Sequence, residues 1–220
     1  MKLGAAIFDL DGVIVDTVML HFKAWRKMFS EYSRDFTFSD YKTKVDGILR
    51  IDGAKNILGA LSFDEIERAA ARKQMYFLES LENKGVKTYK GTIDLIGELK
   101  AKGIKIGVIS SSKNCRHILQ KAKVIELFDV IVTGDDVKKG KPHPEVFITA
   151  AKKLGVSPEG CIVFEDAALG VEGAKKAKMI CVGIDRHSDS KRLREADLVV
   201  SDLSEISLSA IEDLFQKDVL

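Results

Sequence analysis

The chain has 220 residues, 45% of them hydrophobic and 31% charged, so it is long enough to bury a sizeable core. Its 35 lysines and arginines nearly balance its 33 aspartates and glutamates, and a net charge of +2 argues against a nucleic-acid partner. No apolar segment approaches the ~18 residues that span a bilayer, and no signal-peptide pattern is visible. We therefore expect a cytoplasmic monomer without a membrane partner.

The three cysteines show no metal-binding pattern. Cys115, Cys161 and Cys181 lack CxxC or Cys/His spacing, and the last two lie in apolar, strand-like runs. We expect buried thiols rather than zinc ligands.

The N-terminal segment combines an apolar run with a cluster of carboxylates. The run LGAAIF (residues 3–8) is short and continuously apolar, as a strand buried on both faces should be. Asp9, Asp11 and Asp16 follow it in IFDLDGVIVDT. Because like charges repel, such a cluster costs stability unless a cation, a proton or chemistry compensates.

The next part of the chain has helical periodicity. From about residue 18 to 86 no strand-like run is present, and apolar residues recur at helical spacing between polar or glycine-containing joints. This pattern predicts a small helical domain, residues 17–87, inserted into a core made of residues 1–16 and 88–220. We expect Met75, Tyr76 and Phe77 to lie in the interior of the helical domain.

After residue 88 strands and helices alternate. Thr92 is expected to cap a helix that ends near Gly103. Five further strands are expected at residues 104–110, 129–134, 161–166, 179–185 and 197–202. Strands that alternate with helices of about a dozen residues predict an α/β fold with a doubly wound parallel sheet.

An open parallel sheet binds ligands beyond the carboxyl ends of its strands. The polar residues expected there are Asp9, Asp11, Ser110, Lys141, Glu165 and Asp166. Carboxylates from two strands can hold Mg²⁺, while a lysine and a hydroxyl can bind a phosphoryl group. The sequence thus predicts a site for Mg²⁺ and a phosphoryl group.

At these residues the chain resembles the haloacid dehalogenase superfamily of aspartyl-phosphate enzymes, and the resemblance extends over nearly the whole chain. The four motifs are matched by DLDGV, by Ser110 in VISSSKN, by Lys141 in GKPHP and by EDAALG. The resemblance implies that Asp9 is the nucleophile and Asp11 the general acid and base. It also implies that Mg²⁺ binds Asp9, the backbone carbonyl of Asp11 and Asp166, with Glu165 supporting or joining them, and that the helical insert is a cap.

Within the superfamily the chain is most similar to the beta-phosphoglucomutase group and its sugar-phosphatase relatives. The segments DTVMLHFKAW, VDGILRIDG, ARKQ and SSSKN carry this similarity. They imply a set of substrate-binding residues: Thr17, His21, Trp25, Gly47, Arg50, Lys73, Ser111, Ser112 and Asn114. Arg50 is similar in position to an arginine that holds a second phosphate.

Structural roles compete for these cap residues. His21 and Trp25 stand one helical turn apart, a spacing that also suits helix packing. Arg50 can pair with Asp52, and Lys73 lies in a charged stretch that suits a solvated helix face.

Two positions differ from the pattern of a mutase of the group. Asp46 stands where that mutase has lysine, and Gly53 where it has serine. A carboxylate beside the pocket would repel a distal phosphate. We therefore expect a Mg²⁺-dependent phosphohydrolase of small phosphorylated sugars, with beta-phosphoglucomutase activity, which interconverts beta-glucose 1-phosphate and glucose 6-phosphate, as the alternative.

Other functions fit less well. A phospho-receiver signalling module also gathers acidic residues, a hydroxyl and a lysine around Mg²⁺, but its phosphorylated aspartate lies on a middle strand and it has no long helical insert. A Rossmann-type nucleotide binder would have a GxGxxG turn where this chain has DLDG. A dehalogenase has little use for a Mg²⁺ site.

Overall fold

The computed structural model describes residues 2–186 and 189–216. These residues contain a six-stranded sheet of order β3-β2-β1-β4-β5-β6, in which every neighbouring pair is parallel. The strands are β1 (Ala5–Asp9), β2 (Lys105–Ile109), β3 (Val130–Val132), β4 (Cys161–Glu165), β5 (Ile180–Ile184) and β6 (Leu198–Val200). Each strand overlaps one of the six apolar runs, so the predicted doubly wound parallel sheet is confirmed.

The helices follow the strands and also fill the segment after β1. They are α1 (Val18–Ser30), α2 (Phe38–Asp40), α3 (Arg50–Leu58), α4 (Phe63–Lys84), α5 (Lys90–Ala101), α6 (Cys115–Lys121), α7 (Glu145–Leu154), α8 (Ala168–Lys176) and α9 (Leu208–Leu214). A π-helical turn, Tyr41–Val45, continues α2. None of the helices in the described part of the chain has the length and apolar character needed to cross a membrane.

Alternate residues of β1 pack on opposite faces of the sheet. Ala6 and Phe8 belong to an apolar cluster that includes α5, α6 and α9, whereas Ala5 and Ile7 belong to one that includes α7 and α8. Phe8 stacks on Phe164 of β4 with a centroid distance of 4.5 Å. Because helices cover both faces, the central strands are apolar at nearly every position. The predicted burial of the three free cysteines is also confirmed.

We call residues 17–87 the cap segment and residues 1–16 with 88–220 the α/β segment. This division stays a prediction, and residues 1, 187, 188 and 217–220 of the α/β segment lie outside the described residues. A third apolar cluster lies wholly within the cap segment and draws on α1, the π-helical turn, α3 and α4. The cap segment therefore has an apolar interior of its own.

The helix cap predicted at Thr92 is wrong. Helix α5 begins at Lys90 after Tyr89, so Thr92 lies inside its first turn. The Thr92 hydroxyl donates a 2.6 Å hydrogen bond to the carbonyl of Val13. This buried bond fastens α5 to the loop that follows β1.

The second half of α4 packs differently from the prediction. Met75 is 52% exposed, and Phe77 belongs to the apolar cluster of the α/β segment rather than to that of the cap segment. Tyr76 is partly buried and contacts both clusters. The helix leaves the cap interior along its length, because its C-terminal turns pack on the α/β segment.

Candidate active site

The carboxyl ends of β1, β2 and β4 open into a cavity of about 360 Å³, lined by residues of both segments. It brings together most of the predicted site residues, namely Asp9, Asp11, His21, Trp25, Gly47, Arg50, Lys73, Ser110, Ser111, Ser112, Lys141, Glu165 and Asp166. The other two, Thr17 and Asn114, are not among the lining residues but hydrogen-bond to residues that are.

Asp9 is the last residue of β1 and faces Lys141. The Lys141 ammonium donates a 2.6 Å hydrogen bond to Asp9 Oδ1 and also pairs with Glu165. Burial raises the pKa of Asp9 well above its ordinary value, although Lys141 acts in the opposite direction. Burial alone would lower the pKa of Lys141, but the two carboxylates outweigh it and raise that pKa. Lys141 therefore stays charged beside the predicted nucleophile.

Three carboxylates form a compact group beside this pair. Oxygen atoms of Asp9, Glu165 and Asp166 all lie within 4.8 Å of one another. Burial raises the pKa of Asp166 to about 7; the Lys42 ammonium acts against this rise, while Asp46 and Glu165 add to it. Such a group of buried hard oxygen donors, which repel one another, fits a Mg²⁺ ion.

Two glycines permit the close packing of these carboxylates. Gly12 has a φ of +85°, and a Cβ there would lie 2.4 Å from Asp166 Oδ2. A Cβ at Gly170, near the start of α8, would lie 2.1 Å from the Glu165 carboxyl carbon. A side chain at either position would displace a predicted metal ligand.

Asp11 faces away from this group and towards the cap segment. Its Oδ1 accepts hydrogen bonds from the Thr17 hydroxyl and from His21 Nε2, the latter at 3.2 Å. The Lys73 ammonium lies 2.8 Å from His21 Nδ1. If Lys73 donates to Nδ1, the proton of a neutral His21 is on Nε2, where it can be donated to Asp11.

Burial governs the protonation of this chain of side chains. Burial would raise the pKa of Asp11, but His21 and Thr17 outweigh it and lower that pKa. Burial and the charge of Lys73 lower the pKa of His21. Burial and Arg50 also lower the pKa of Lys73, to about 7. Lys73 is only 4% exposed, so the alternative of a solvated helix face is wrong.

The loop after β2 presents its serines to the cavity. The Ser110 hydroxyl accepts a 3.0 Å hydrogen bond from the backbone N–H of Ser112, which leaves its own proton for another acceptor. The Ser111 hydroxyl donates at 2.6 Å to the carbonyl of Gly47 and so ties this loop to the cap segment. Asn114 N–H donates to the Ser112 hydroxyl at 3.2 Å.

Arg50 lies at the start of α3 and contacts Gln74 instead of pairing with Asp52. Its NH1 group donates to the Gln74 side-chain carbonyl, while its buried Nε has no hydrogen-bond partner among the residues that the structure describes. Gln74 in turn donates to Asn114 Oδ1 at 2.6 Å. The guanidinium therefore keeps a buried donor for a ligand group.

Gly53 packs closely against the indole of Trp25. A Cβ at Gly53 would lie 3.1 Å from the Trp25 ring, so a serine there would require the ring to move. Trp25 also stacks on Phe29 with a centroid distance of 5.3 Å. The indole thus combines the packing role with a place in the cavity wall.

Sequence reasoning missed two residues at this site, Lys42 and Gln74. Lys42 pairs with Asp46 and lies 3.3 Å from Asp166 Oδ2, whereas Gln74 connects Arg50 to Asn114. The i, i+4 spacing of Lys42 and Asp46 is a signal for their ion pair. Their contact with the other segment has no local signal.

Comparisons with known proteins agree with this geometry. The family described as haloacid dehalogenase-like hydrolase matches residues 6–184. The Bacillus subtilis protein named beta-phosphoglucomutase is 34% identical over 97% of this chain and 96% of its own. The Thermotoga maritima protein named phosphorylated carbohydrates phosphatase is 35% identical over 96% of this chain and 99% of its own.

A solved structure shows the same relationship in three dimensions. The crystal structure of beta-phosphoglucomutase from Clostridium difficile has a TM-score of 0.90 to this chain, with 32% identity and 99% of both chains covered. The chain therefore belongs to the haloacid dehalogenase-like hydrolase family, among its beta-phosphoglucomutase-like members.

Proposed function

We propose that the protein is a Mg²⁺-dependent phosphohydrolase that acts on small phosphorylated sugars through an aspartyl phosphate on Asp9. The observation that carries the proposal is the Asp9 carboxylate at the end of β1, 2.6 Å from Lys141, in a cavity of about 360 Å³. The names of the two sequence relatives, a beta-phosphoglucomutase and a phosphatase of phosphorylated carbohydrates, support a phosphorylated sugar as the substrate.

Asp9, Glu165 and Asp166 would hold the Mg²⁺ ion together with the backbone carbonyl of Asp11. When bound, the ion would supply positive charge to the oxygens of the phosphoryl group. Glu165 is fully buried and also binds Lys141, so it fixes the lysine next to the nucleophile.

In the first step Asp9 attacks phosphorus in line with the departing sugar oxygen. A phosphorus–oxygen bond to Asp9 forms as the bond to the sugar oxygen breaks. Lys141 holds the attacking carboxylate and offsets charge on the phosphoryl oxygens. Ser110 keeps a hydroxyl proton that it can donate to the same oxygens.

Asp11 must deliver a proton to the departing sugar oxygen, although its own pKa is lowered. The contacts between Lys73, His21 and Asp11 provide a route. As Lys73 Nζ gives a proton to His21 Nδ1, His21 Nε2 can give its proton to Asp11 Oδ1. In the second step water attacks phosphorus, and Asp11, again a carboxylate, takes a proton from that water. The bond from phosphorus to Asp9 breaks as the new bond to the water oxygen forms, which releases phosphate and restores the Asp9 carboxylate.

The structure changes the role predicted for Asp46. Its carboxylate does not face the pocket alone but is paired with the buried Lys42. The pair has no net charge, whereas a lysine at position 46 would add a positive charge for a distal phosphate. The cap segment therefore still favours substrates with one phosphate, although less strongly than an unpaired carboxylate would.

Mutase activity remains a second candidate because Arg50 retains a buried donor that no described residue pairs with. The receiver-like and nucleotide-binding alternatives lose their support, since the chain belongs to a hydrolase family.

A screen of phosphorylated sugars with Mg²⁺ tests the proposal if it records free phosphate and isomerised sugar phosphate together. Glucose 1,6-bisphosphate should be present in catalytic amount, because it primes the phosphoenzyme of a mutase. We expect phosphate release from several hexose or pentose phosphates to outrun conversion of beta-glucose 1-phosphate to glucose 6-phosphate. If the isomer forms many times faster than phosphate, the mutase assignment replaces ours. Turnover of none of the sugar phosphates would contradict both.

A further inference from the structure

Lys42 places a buried ammonium between two carboxylates from different segments. Its side chain is only 8% exposed and pairs with Asp46, one helical turn further along the cap segment. The same ammonium lies 3.3 Å from Oδ2 of Asp166, which follows β4 in the α/β segment. The mechanism proposed above gives this lysine no task.

The position of Lys42 is fixed from both segments. Arg192 of the α/β segment donates a hydrogen bond to the backbone carbonyl of Lys42, so the main chain is held as well as the side chain. Gly12 confines Asp166 from the other side, because a Cβ at Gly12 would clash with Asp166 Oδ2. The same oxygen is in contact with the Lys42 ammonium and belongs to a proposed ligand of Mg²⁺.

Two cations that need the same carboxylate oppose each other. Asp166 can neutralise the Lys42 ammonium or take part in binding a divalent ion, and at the short separations of this buried site their mutual repulsion is strong. Asp46 limits the opposition, because it gives the ammonium a second partner within the cap segment. The strength of the Lys42–Asp166 contact therefore depends on Asp46.

We propose that Lys42 is an internal competitor of Mg²⁺ at Asp166. Metal binding then breaks the Lys42–Asp166 ion pair, which is one of the contacts that hold the cap segment on the α/β segment. The proposal rests on the metal site of the proposed function. Coupling of this kind is reciprocal: if Mg²⁺ weakens the contact, the contact weakens Mg²⁺ binding by the same factor. Lys42 then acts on the metal through Asp166 and is a positioning residue rather than a catalytic one.

Calorimetric titration of the whole 220-residue chain with Mg²⁺, without substrate, measures this coupling. Lys42→Met should bind Mg²⁺ at least about fivefold more tightly than the wild type, in the usual range of coupling between sites. Asp46→Asn should bind it more weakly, because Lys42 then depends on Asp166 alone. Lys44→Met is the matched control, since Lys44 lies two residues away and pairs with Asp40. It removes the same charge from the π-helical turn and should leave the affinity within about twofold of the wild type.

Chemical labelling follows the lysine itself and separates competition from a general effect of charge. Acetylation of the wild type, read by mass spectrometry, should be slow at Lys42 in EDTA and at least about fivefold faster in saturating Mg²⁺. The rate at Lys44 should not change. This readout also stands if Lys42→Met fails to fold.

The outcomes are distinct. If the wild type binds Mg²⁺ but its Lys42 labels at the same rate with and without the ion, the competitor assignment is wrong and the metal site stands. The same holds if Asp46→Asn tightens Mg²⁺ binding, or if Lys44→Met shifts the affinity as much as Lys42→Met. If the wild type takes up no Mg²⁺ at all, both the metal site and the competition are overturned.

Discussion

The ammonium of Lys73 on α4 lies 2.8 Å from Nδ1 of His21 on α1, in the wall of the cavity. Burial and the nearby charge of Arg50 lower the pKa of Lys73 to about 7. A lysine with a pKa near neutrality can gain and lose a proton during turnover. The contact can therefore pass a proton towards Asp11. The buried charge of Lys73 at the same time lowers the stability of the fold.

Replacing Lys73 with Met should stabilise the protein at neutral pH. The folded-state pKa of about 7 lies below the ordinary value of 10.5, so between these values the unfolded chain binds more protons than the folded one. Stability of the wild type must then rise with pH across this window, and the cost of burying the charge is fully present below it. Each unit of pKa corresponds to about 1.4 kcal/mol, and we expect Lys73→Met to gain at least that much at pH 6.

Urea denaturation at pH 6, 8 and 10 checks this expectation. The gain of Lys73→Met over the wild type should shrink as the pH rises, because the wild-type lysine is then buried without charge. Lys84→Met, which removes an exposed lysine from the end of the same helix, is the control and should show no such trend. A gain of equal size at all three pH values would contradict the assignment of a depressed pKa to Lys73.

Asp9→Asn tests the nucleophile. An amide in place of the carboxylate cannot form the aspartyl phosphate, so kcat should fall by at least ~10³-fold. The fold should persist because Lys141 keeps its pairing with Glu165. Phosphate release measured beside the melting temperature checks both statements. Turnover near the wild-type rate in the folded variant would remove Asp9 from the mechanism.

The fold and the first part of the site could be predicted because their signals are local. Each strand is an apolar run, and the two predicted catalytic carboxylates, Asp9 and Asp11, stand directly after the first one. Parallel strands present their carboxyl ends at one edge, so Ser110 and Asp166 had to lie near them. Once neighbouring strands pair, the side chains at their carboxyl ends lie next to one another, so no further sequence signal is needed to bring these groups together.

Contacts between the two segments could not be predicted in this way. Lys42 reaches Asp166 across 124 positions of the chain, and Gln74 reaches Asn114 across 40. Neither contact leaves a periodic trace, because it depends on how the cap segment lies over the sheet. The error at Met75 has the same origin: helical spacing shows that α4 is amphipathic but not which segment each turn faces.

Asp166→Asn tests whether the carboxylate group serves a metal ion. Burial and the repulsion of Asp46 and Glu165 together outweigh the pairing of Asp166 with Lys42, so removing the charge should let the variant melt in EDTA at or above the wild-type temperature. Mg²⁺ should raise the melting temperature of the wild type but not that of the variant, and activity should be lost. Differential scanning calorimetry with and without Mg²⁺ gives both results. A variant that unfolds in EDTA would show that the carboxylates hold the fold rather than an ion.

Arg50→Ala decides whether the guanidinium serves a second phosphate. Its buried Nε has no partner in the described part of the chain, and its NH1 group binds Gln74. In a mutase the distal phosphate of the bisphosphate intermediate would need this positive charge, so isomerisation should fall by at least ~10²-fold, as when a charged hydrogen-bond donor is lost. Hydrolysis of substrates with one phosphate should fall less than about tenfold, because the reacting phosphate lies at Asp9.

Gln74→Leu, which removes the amide but keeps the guanidinium, is the matched control and should alter both rates by a similar, smaller factor. Parallel assays of free phosphate and glucose 6-phosphate measure the two rates, and an equal loss of both in Arg50→Ala would mean that Arg50 supports the cavity wall rather than a phosphate.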